Sequence, residues 1–231
     1  RLSQKNHLIL AIINSINFIL ESRGLKKKDI LGAGIGFPGP IDNKRGLVHF
    51  LPNVPGWREV NLKKILEDKL KVPVLLDNDA KLMALAEYKL GEAGSFANVL
   101  CITLGTGVGG GIILGGKLYR GQDNAAGEIG HMPINENGPR CNCGGVACLE
   151  AYIGNKKILR QASKLFKRDI SLEELSGLAR KHNKLALSVW QEVGRRLGMA
   201  LAGAVNLLNL DAVVIGGGVA GAGSILLNKV R

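Results

Sequence analysis

The sequence predicts an α/β protein, and three observations carry that prediction. Short apolar runs, Ile30 to Phe37 and Val72 to Leu76, alternate with segments of helical periodicity. Closely spaced strand-like runs from Val99 to Tyr119 are separated by glycine turns. A last apolar run, Ala212 to Ile215, enters Gly216-Gly217-Gly218 ahead of a terminal helical pattern.

In chain order, Leu8, Ile9, Ala11, Ile12, Ile16, Phe18, Ile19 and Leu20 recur at helical spacing, and Gly24 stops that helix. Ile30 to Phe37 reads as a buried strand entering Pro38-Gly39-Pro40, where two prolines and a glycine force a tight turn. Val48 and Phe50 precede a second turn, Asn53-Val54-Pro55-Gly56, and an amphipathic helix from Leu62 to Leu70. Val72 to Leu76 is a buried strand ending in Asp77-Asn78-Asp79, just before a helix from Ala80 to Leu90. In open α/β sheets ligands bind at such carboxyl ends of strands. Asp77 and Asp79 each offer a general base, and each is equally a candidate helix cap. Side-chain alternation does not choose between them, because the helix start interrupts it.

Val99 to Leu104, Ile112 to Leu114 and Lys117 to Tyr119 form a β-meander around the turns Gly105 to Gly111 and Gly115-Gly116. Gly105-Thr106-Gly107 suits a phosphate, since glycines let backbone N–H groups approach an anion and the Thr106 hydroxyl adds a donor. A plain hairpin turn is the competing reading. No Gly-Lys-Ser or Gly-Lys-Thr follows, and the next segment is a strand, so neither a Walker loop nor a dinucleotide motif is present. Gly216-Gly217-Gly218 lies between a strand and a helix, which suits close passage of a nucleotide or a simple turn. Helical stretches run from Glu150 to Phe166, Leu172 to Arg180 and Leu185 to Leu208. Gly194 and Gly198 share one face of the last, permitting close helix packing.

Between Glu128 and Glu150 lie Glu128-Ile129-Gly130-His131, Cys141-Asn142-Cys143-Gly144-Gly145 and Cys148-Leu149-Glu150. His131, Cys141, Cys143 and Cys148 are the donor set of a closed tetrahedral zinc site with no position for a catalytic water. Three cysteines do not pair evenly, and the remaining one, Cys101, sits in a strand-like run, which argues against disulfides. A buried histidine is the bland reading of His131. Glu128 and Glu150 flank the ligands and are candidates for binding hydroxyl-rich molecules, with a solvated surface as the alternative.

At 231 residues, 46% hydrophobic and 22% charged, the chain has the composition of a globular protein with a sizeable core. The net charge of +12 raises nucleic acid as a partner. However, its basic residues spread over helical segments such as Asn61 to Lys71 and Lys156 to Arg168, and no DNA-reading motif is legible. The apolar stretch Leu197 to Leu210 is too short and too polar to span a bilayer. Free thiols arranged for metal point to a reducing cytoplasm.

Taken together, Gly34-Ile35-Gly36-Phe37-Pro38-Gly39-Pro40, Asn53-Val54-Pro55-Gly56-Trp57, Asp77-Asn78-Asp79-Ala80, Leu104-Gly105-Thr106-Gly107, Glu128-Ile129-Gly130-His131, the cysteine segment and Ile215-Gly216-Gly217-Gly218 stand in the order seen in ROK proteins. The chain resembles that family of bacterial sugar kinases and sugar-responsive repressors along essentially its whole length, most closely the glucokinases. The resemblance implies an actin-like, ribonuclease-H-like two-lobed fold, with residues 1–97 in the amino-terminal lobe and 98–231 in the carboxy-terminal lobe. It implies Asp79 as catalytic base, and Gly39, Asn53, Asn78, Glu128, His131 and Glu150 as sugar contacts, His131 serving zinc as well. Gly105, Thr106 and Gly107 resemble the second phosphate loop, and Gly216, Gly217 and Gly218 the adenosine-binding turn.

The implied reaction transfers the ATP γ-phosphoryl group to a hexose 6-hydroxyl, with magnesium on the phosphates and zinc structural. N-acetylhexosamine and fructose kinases share the Glu128, His131 and Glu150 pattern, and relatives are commonly homodimers. A repressor that senses sugar and binds nucleic acid is the alternative; the intact Gly105-Thr106-Gly107 turn favours the kinase. Ala147 stands where the family usually has glycine. The family's first phosphate loop is not found, so the chain is expected to be an internal piece of a longer protein.

Overall fold

In the computed structural model, which describes residues 4–51, 54 and 56–230, the first helical pattern is α1 (Gln4–Ser22). Its Leu8, Ile9, Ile12, Ile13 and Ile16 join a core, while Phe18 and Ile19 face outward. Next come β1 (Ala33–Phe37), β2 (Ile41–Asp42), β3 (Leu47–Phe50), β4 (Arg58–Asn61), α2 (Leu62–Leu70) and β5 (Val74–Asn78). β1 and β5 pair in parallel, Ala33 with Val74 through Phe37 with Asn78, and β2, β3 and β4 form a separate antiparallel sheet. α2 turns Leu62, Leu66 and Leu70 to the core, as a four-residue spacing requires. Asn61 caps it by accepting the Lys64 N–H at 3.0 Å. Phe37, at the end of β1, stacks on Trp57 with centroids 5.2 Å apart.

β5 is displaced from the apolar run that announced it. Val72 and Pro73 lie outside the strand, whereas Asp77 and Asn78 lie inside it. The pairing explains the shift: Gly36 and Phe37 stand opposite those two polar residues and extend the parallel ladder through them. Helix α3 (Asp79–Leu90) then starts at once.

Contacts group the chain into two units, residues 1–82 with 120–125 and residues 83–119 with 126–231. The second unit contains β6 (Val99–Leu104), β7 (Val108–Leu114), β8 (Lys117–Tyr119), α4 (Glu150–Ile153), α5 (Asn155–Phe166), α6 (Leu172–Arg180), α7 (Lys184–Leu208), β9 (Ala212–Gly216) and α8 (Ser224–Val230). Its sheet runs β8-β7-β6-β9; the meander is antiparallel, and β9 joins β6 in parallel. β6 is covered on both faces, which accounts for its unbroken apolar run. Leu100, Ile102 and Leu104 enter the large core with Val189, Trp190, Val193 and Leu197 of α7, while Val99 and Cys101 enter a smaller cluster with Ala84 and Ala93.

Two helical expectations meet different outcomes. The single helix from Glu150 to Phe166 is two helices, because Gly154 is extended (φ −60°, ψ 143°) and ends α4. A Cβ on Gly154 would lie 3.0 Å from Glu150 O and 3.1 Å from Thr106 O. On α7 the two glycines admit α8 closely, since a Cβ on Gly194 would overlap Lys229 and one on Gly198 would lie 2.7 Å from Val230 O. Among the described residues, no helix is long and apolar enough to cross a membrane.

Candidate functional site

The first unit assembles its polar residues where β1 and β5 end side by side. Gly39 follows β1 at φ +90°, a left-handed conformation that glycine adopts without a Cβ penalty. Its carbonyl accepts the Asn78 Nδ2–H at 3.2 Å. The other end of the same amide, Oδ1, accepts the Lys81 N–H at 3.1 Å. The cap of α3 is therefore Asn78, and neither aspartate holds that role. The two aspartates differ sharply. Asp77 is buried, its Oδ2 receives Arg120 Nη2 at 2.6 Å and its Oδ1 accepts the Asn78 N–H at 2.8 Å. Asp79 is exposed, and among the described residues its carboxylate meets only the neighbouring Ala80 N–H, at 2.8 Å. Both Asp77 oxygens are engaged, whereas the Asp79 carboxylate is open to a ligand, which makes Asp79 the candidate base. Asn53 lies outside the described residues.

In the second unit the two glycine turns meet. Thr103 pairs with Gly216, so Gly105-Thr106-Gly107 and Gly216-Gly217-Gly218 leave the carboxyl ends of adjacent parallel strands. Gly217 has φ +89°, and a Cβ there would strike the Leu104 backbone. Gly105 N donates to Gly107 O at 2.9 Å, which curls the turn and leaves Thr106 exposed at its tip.

The cysteine segment supports that turn from behind. Val108 N donates to Glu150 Oε2 at 2.9 Å, and Asn155 N donates to Gly105 O at 2.9 Å. Gly107 leaves room for the Glu150 carboxylate, which a Cβ would strike. Glu128 precedes a short 3-10 helix, Ile129–His131, that lies directly on β7. Cβ atoms on Gly127 or Gly130 would collide with the backbone of Gly110 or Val108. The glycine in Glu-Ile-Gly-His is thus a close-approach residue that brings Glu128 and His131 to the sheet.

His131, Cys141, Cys143 and Cys148 present donor atoms all within 4.8 Å of one another. Cys141 Sγ is 3.7 Å from His131 Nδ1, and Cys143 Sγ is 3.7 Å from Cys148 Sγ. A zinc tetrahedron with bonds of about 2.0–2.3 Å has edges of roughly 3.5–3.8 Å, so the donors fit that metal. The loop achieves this through a tight turn, with Cys141 N donating to Gly145 O at 2.9 Å and Gly144 at φ +94°. Burial first, then the neighbouring thiols, pushes Cys148 up to about 12. Cys141 is also raised, by burial first, while the Gly145 N–H lowers Cys143. A metal binding here displaces the protons of the raised thiols. Ala147 sits at φ +56°, which explains the usual glycine; an alanine there costs about 1–2 kcal/mol. Cys101 takes no part: burial, then the Glu87 charge, raises its thiol to about 11.

A sequence profile of the ROK family matches residues 3–231. The chain belongs to the ROK family. It is 37% identical over 235 residues to a glucokinase of Halalkalibacterium halodurans, a match covering 95% of this chain and 71% of the relative. It is 33% identical to a xylose repressor of Caldicellulosiruptor bescii, covering 98% of this chain and 60% of the repressor. The crystal structure of a ROK glucokinase from Streptomyces griseus with glucose and AMPPNP superposes with a TM-score of 0.83 at 33% identity, over 96% of this chain and 76% of that one. The fold of this ROK chain is the actin-like α/β fold of its structural neighbours, with a Cys/His cluster suited to zinc. Two residues of the first unit had no signal in the sequence. Arg120 stands just after β8 in an unremarkable loop, and Lys81 is buried in the first turn of α3 despite its charge.

Proposed function

We propose that the full-length protein is an ATP-dependent hexose kinase of the glucokinase type. The observation that carries this reading is the open carboxylate of Asp79 beside a saturated Asp77. Asp79 accepts the 6-hydroxyl proton as that oxygen attacks the γ-phosphorus, while Asn78 and the Gly39 backbone orient the sugar, with Asn53 as a further contact. Glu128, Glu150 through Oε1 and His131 through Nε2 bind hydroxyls. Backbone N–H groups of Gly105 to Gly107 and the Thr106 hydroxyl donate to phosphate oxygens, and Gly216 to Gly218 border the adenosine. Magnesium, when bound with ATP, supplies charge neutralisation on the phosphates. Zinc would be held by Cys141, Cys143, Cys148 and His131 Nδ1 and would set the His131 tautomer, leaving Nε2–H for the sugar. Residues 1–97 and 98–231 belong to the two lobes, and the protein works as a cytoplasmic homodimer.

The test is a coupled ATP-consumption assay of the full-length protein across glucose, N-acetylglucosamine, N-acetylmannosamine and fructose. Glucose is the expected substrate, and Asp79→Asn should lower kcat by about 10²–10⁴-fold with an unchanged melting temperature. Near-normal turnover in that variant sinks the assignment. A second reading, a sugar-responsive repressor, draws on the likeness to the xylose repressor and the net charge of +12. Sugar binding without phosphorylation, together with sequence-specific DNA binding, would favour it.

A further inference from the structure

We infer that Arg120 is a positioning residue for phosphoryl transfer, engaging Asp77 so that Asn78 is aimed at the sugar and Asp79 is left as the open carboxylate. The inference rests on the kinase reading and deepens it.

The chain of contacts is continuous. Arg120 Nη2 meets Asp77 Oδ2 at 2.6 Å, Asp77 Oδ1 accepts the Asn78 N–H at 2.8 Å, and the Asn78 amide spans from Gly39 O to the Lys81 N–H. Each link fixes the next, ending one residue before Asp79. The Asp77 side chain is only 9% exposed, and Arg120 sets a cation against it. Without the guanidinium, the buried Asp77 carboxylate would lose its charged partner, seek other donors and pull on Asn78. Arg120 belongs by its contacts with the first unit, although the preceding strand β8 belongs with the second. The chain returns to this corner for residues 120–125, and the ion pair is what Arg120 makes there. Its Nε is buried without a hydrogen-bond partner among the described residues, so a direct ligand contact by Arg120 is the rival role that a test must separate.

The experiment compares Arg120→Ala, Asp77→Asn and the double variant in the full-length protein. Measured are kcat, KM for hexose and ATP, hexose binding by calorimetry, and the melting temperature. Arg120→Ala should lower kcat about 10–100-fold with little change in the ATP KM, the scale expected when a reacting group is misaligned. Adding Asp77→Asn removes the orphaned charge while its amide oxygen still accepts the Asn78 N–H, and should restore most of kcat. A double variant no faster than Arg120→Ala, or an Arg120→Ala variant that raises the ATP KM with kcat intact, overturns the inference. If Arg120→Ala does not fold, Arg120→Lys serves, with a smaller loss and the same rescue. Absence of phosphorylation by the wild-type protein refutes the kinase reading instead. The positioning claim is then read from hexose affinity, which Arg120→Ala must weaken and Asp77→Asn restore.

Discussion

Replacing Glu150 with alanine removes the strut between the cysteine segment and the phosphate turn, and its cost follows from the contacts. Val108 N–H donates to Glu150 Oε2 at 2.9 Å, and Val108 is only 4% exposed. Water therefore reaches the abandoned N–H poorly. A hydrogen bond to a charged partner contributes about 1.5–3 kcal/mol, and a buried donor left unpaired forfeits a similar amount. In a chain of this size that corresponds to a melting temperature lower by roughly 3–12 °C. Glu150→Gln keeps an acceptor at the same place without its charge and should lose about half as much. Nucleotide binding should follow, because the Val108 N–H anchors the start of β7 immediately after Gly107. Calorimetric melting of the three proteins, with AMPPNP titrations, reads both effects. Equal melting temperatures for wild type and Glu150→Ala would show that the strut contributes nothing, and equal losses in alanine and glutamine variants would show that the lost acceptor is not the cause.

Cys148→Ser should bring the zinc content, measured by atomic emission after gel filtration, well below that of wild type; full retention would exclude Cys148 as a ligand. Burial first raises the Cys148 thiol to about 12 and also raises Cys141, so the metal-free cluster holds protons that zinc must displace. Zinc affinity should accordingly be tighter at about pH 8 than at about pH 6, and a pH-independent competition titration would contradict thiolate ligation. Gly194→Ala should destabilise by about 1–3 kcal/mol despite its better helix propensity, because the new methyl meets Lys229 of α8. Gly177→Ala on α6, where nothing lies within 4 Å of the new Cβ, should stabilise by about 0.5–1 kcal/mol. Chemical denaturation that ranks the two alanines in the opposite order would refute the packing argument.

Most elements were legible because their cause is local. The spacing of Leu62, Leu66 and Leu70 marks α2, and the apolar run at Val99 marks β6. Residue types in one short segment name the donors for zinc. Boundaries failed where a distant partner decides them. β5 extends through Asp77 and Asn78 because β1 stands opposite, and the helix from Glu150 breaks at extended Gly154, beside which Asn155 N donates to Gly105 O of the distant turn. Alternation along the chain left Asp77 and Asp79 equivalent; Arg120, forty-three residues beyond Asp77, makes them different.

By itself, then, the sequence determined which segments are strands and helices and which side chains form the metal cluster, since periodicity and ligand chemistry act over a few residues. The ROK motifs likewise stood in order along it. The tertiary structure alone decided which aspartate keeps an open carboxylate and which is neutralised. It also decided that the cysteine segment, through Glu150 and Asn155, backs the turn at Thr106. Those outcomes depend on charges and hydrogen-bond partners brought together by packing, and no spacing along the chain encodes them.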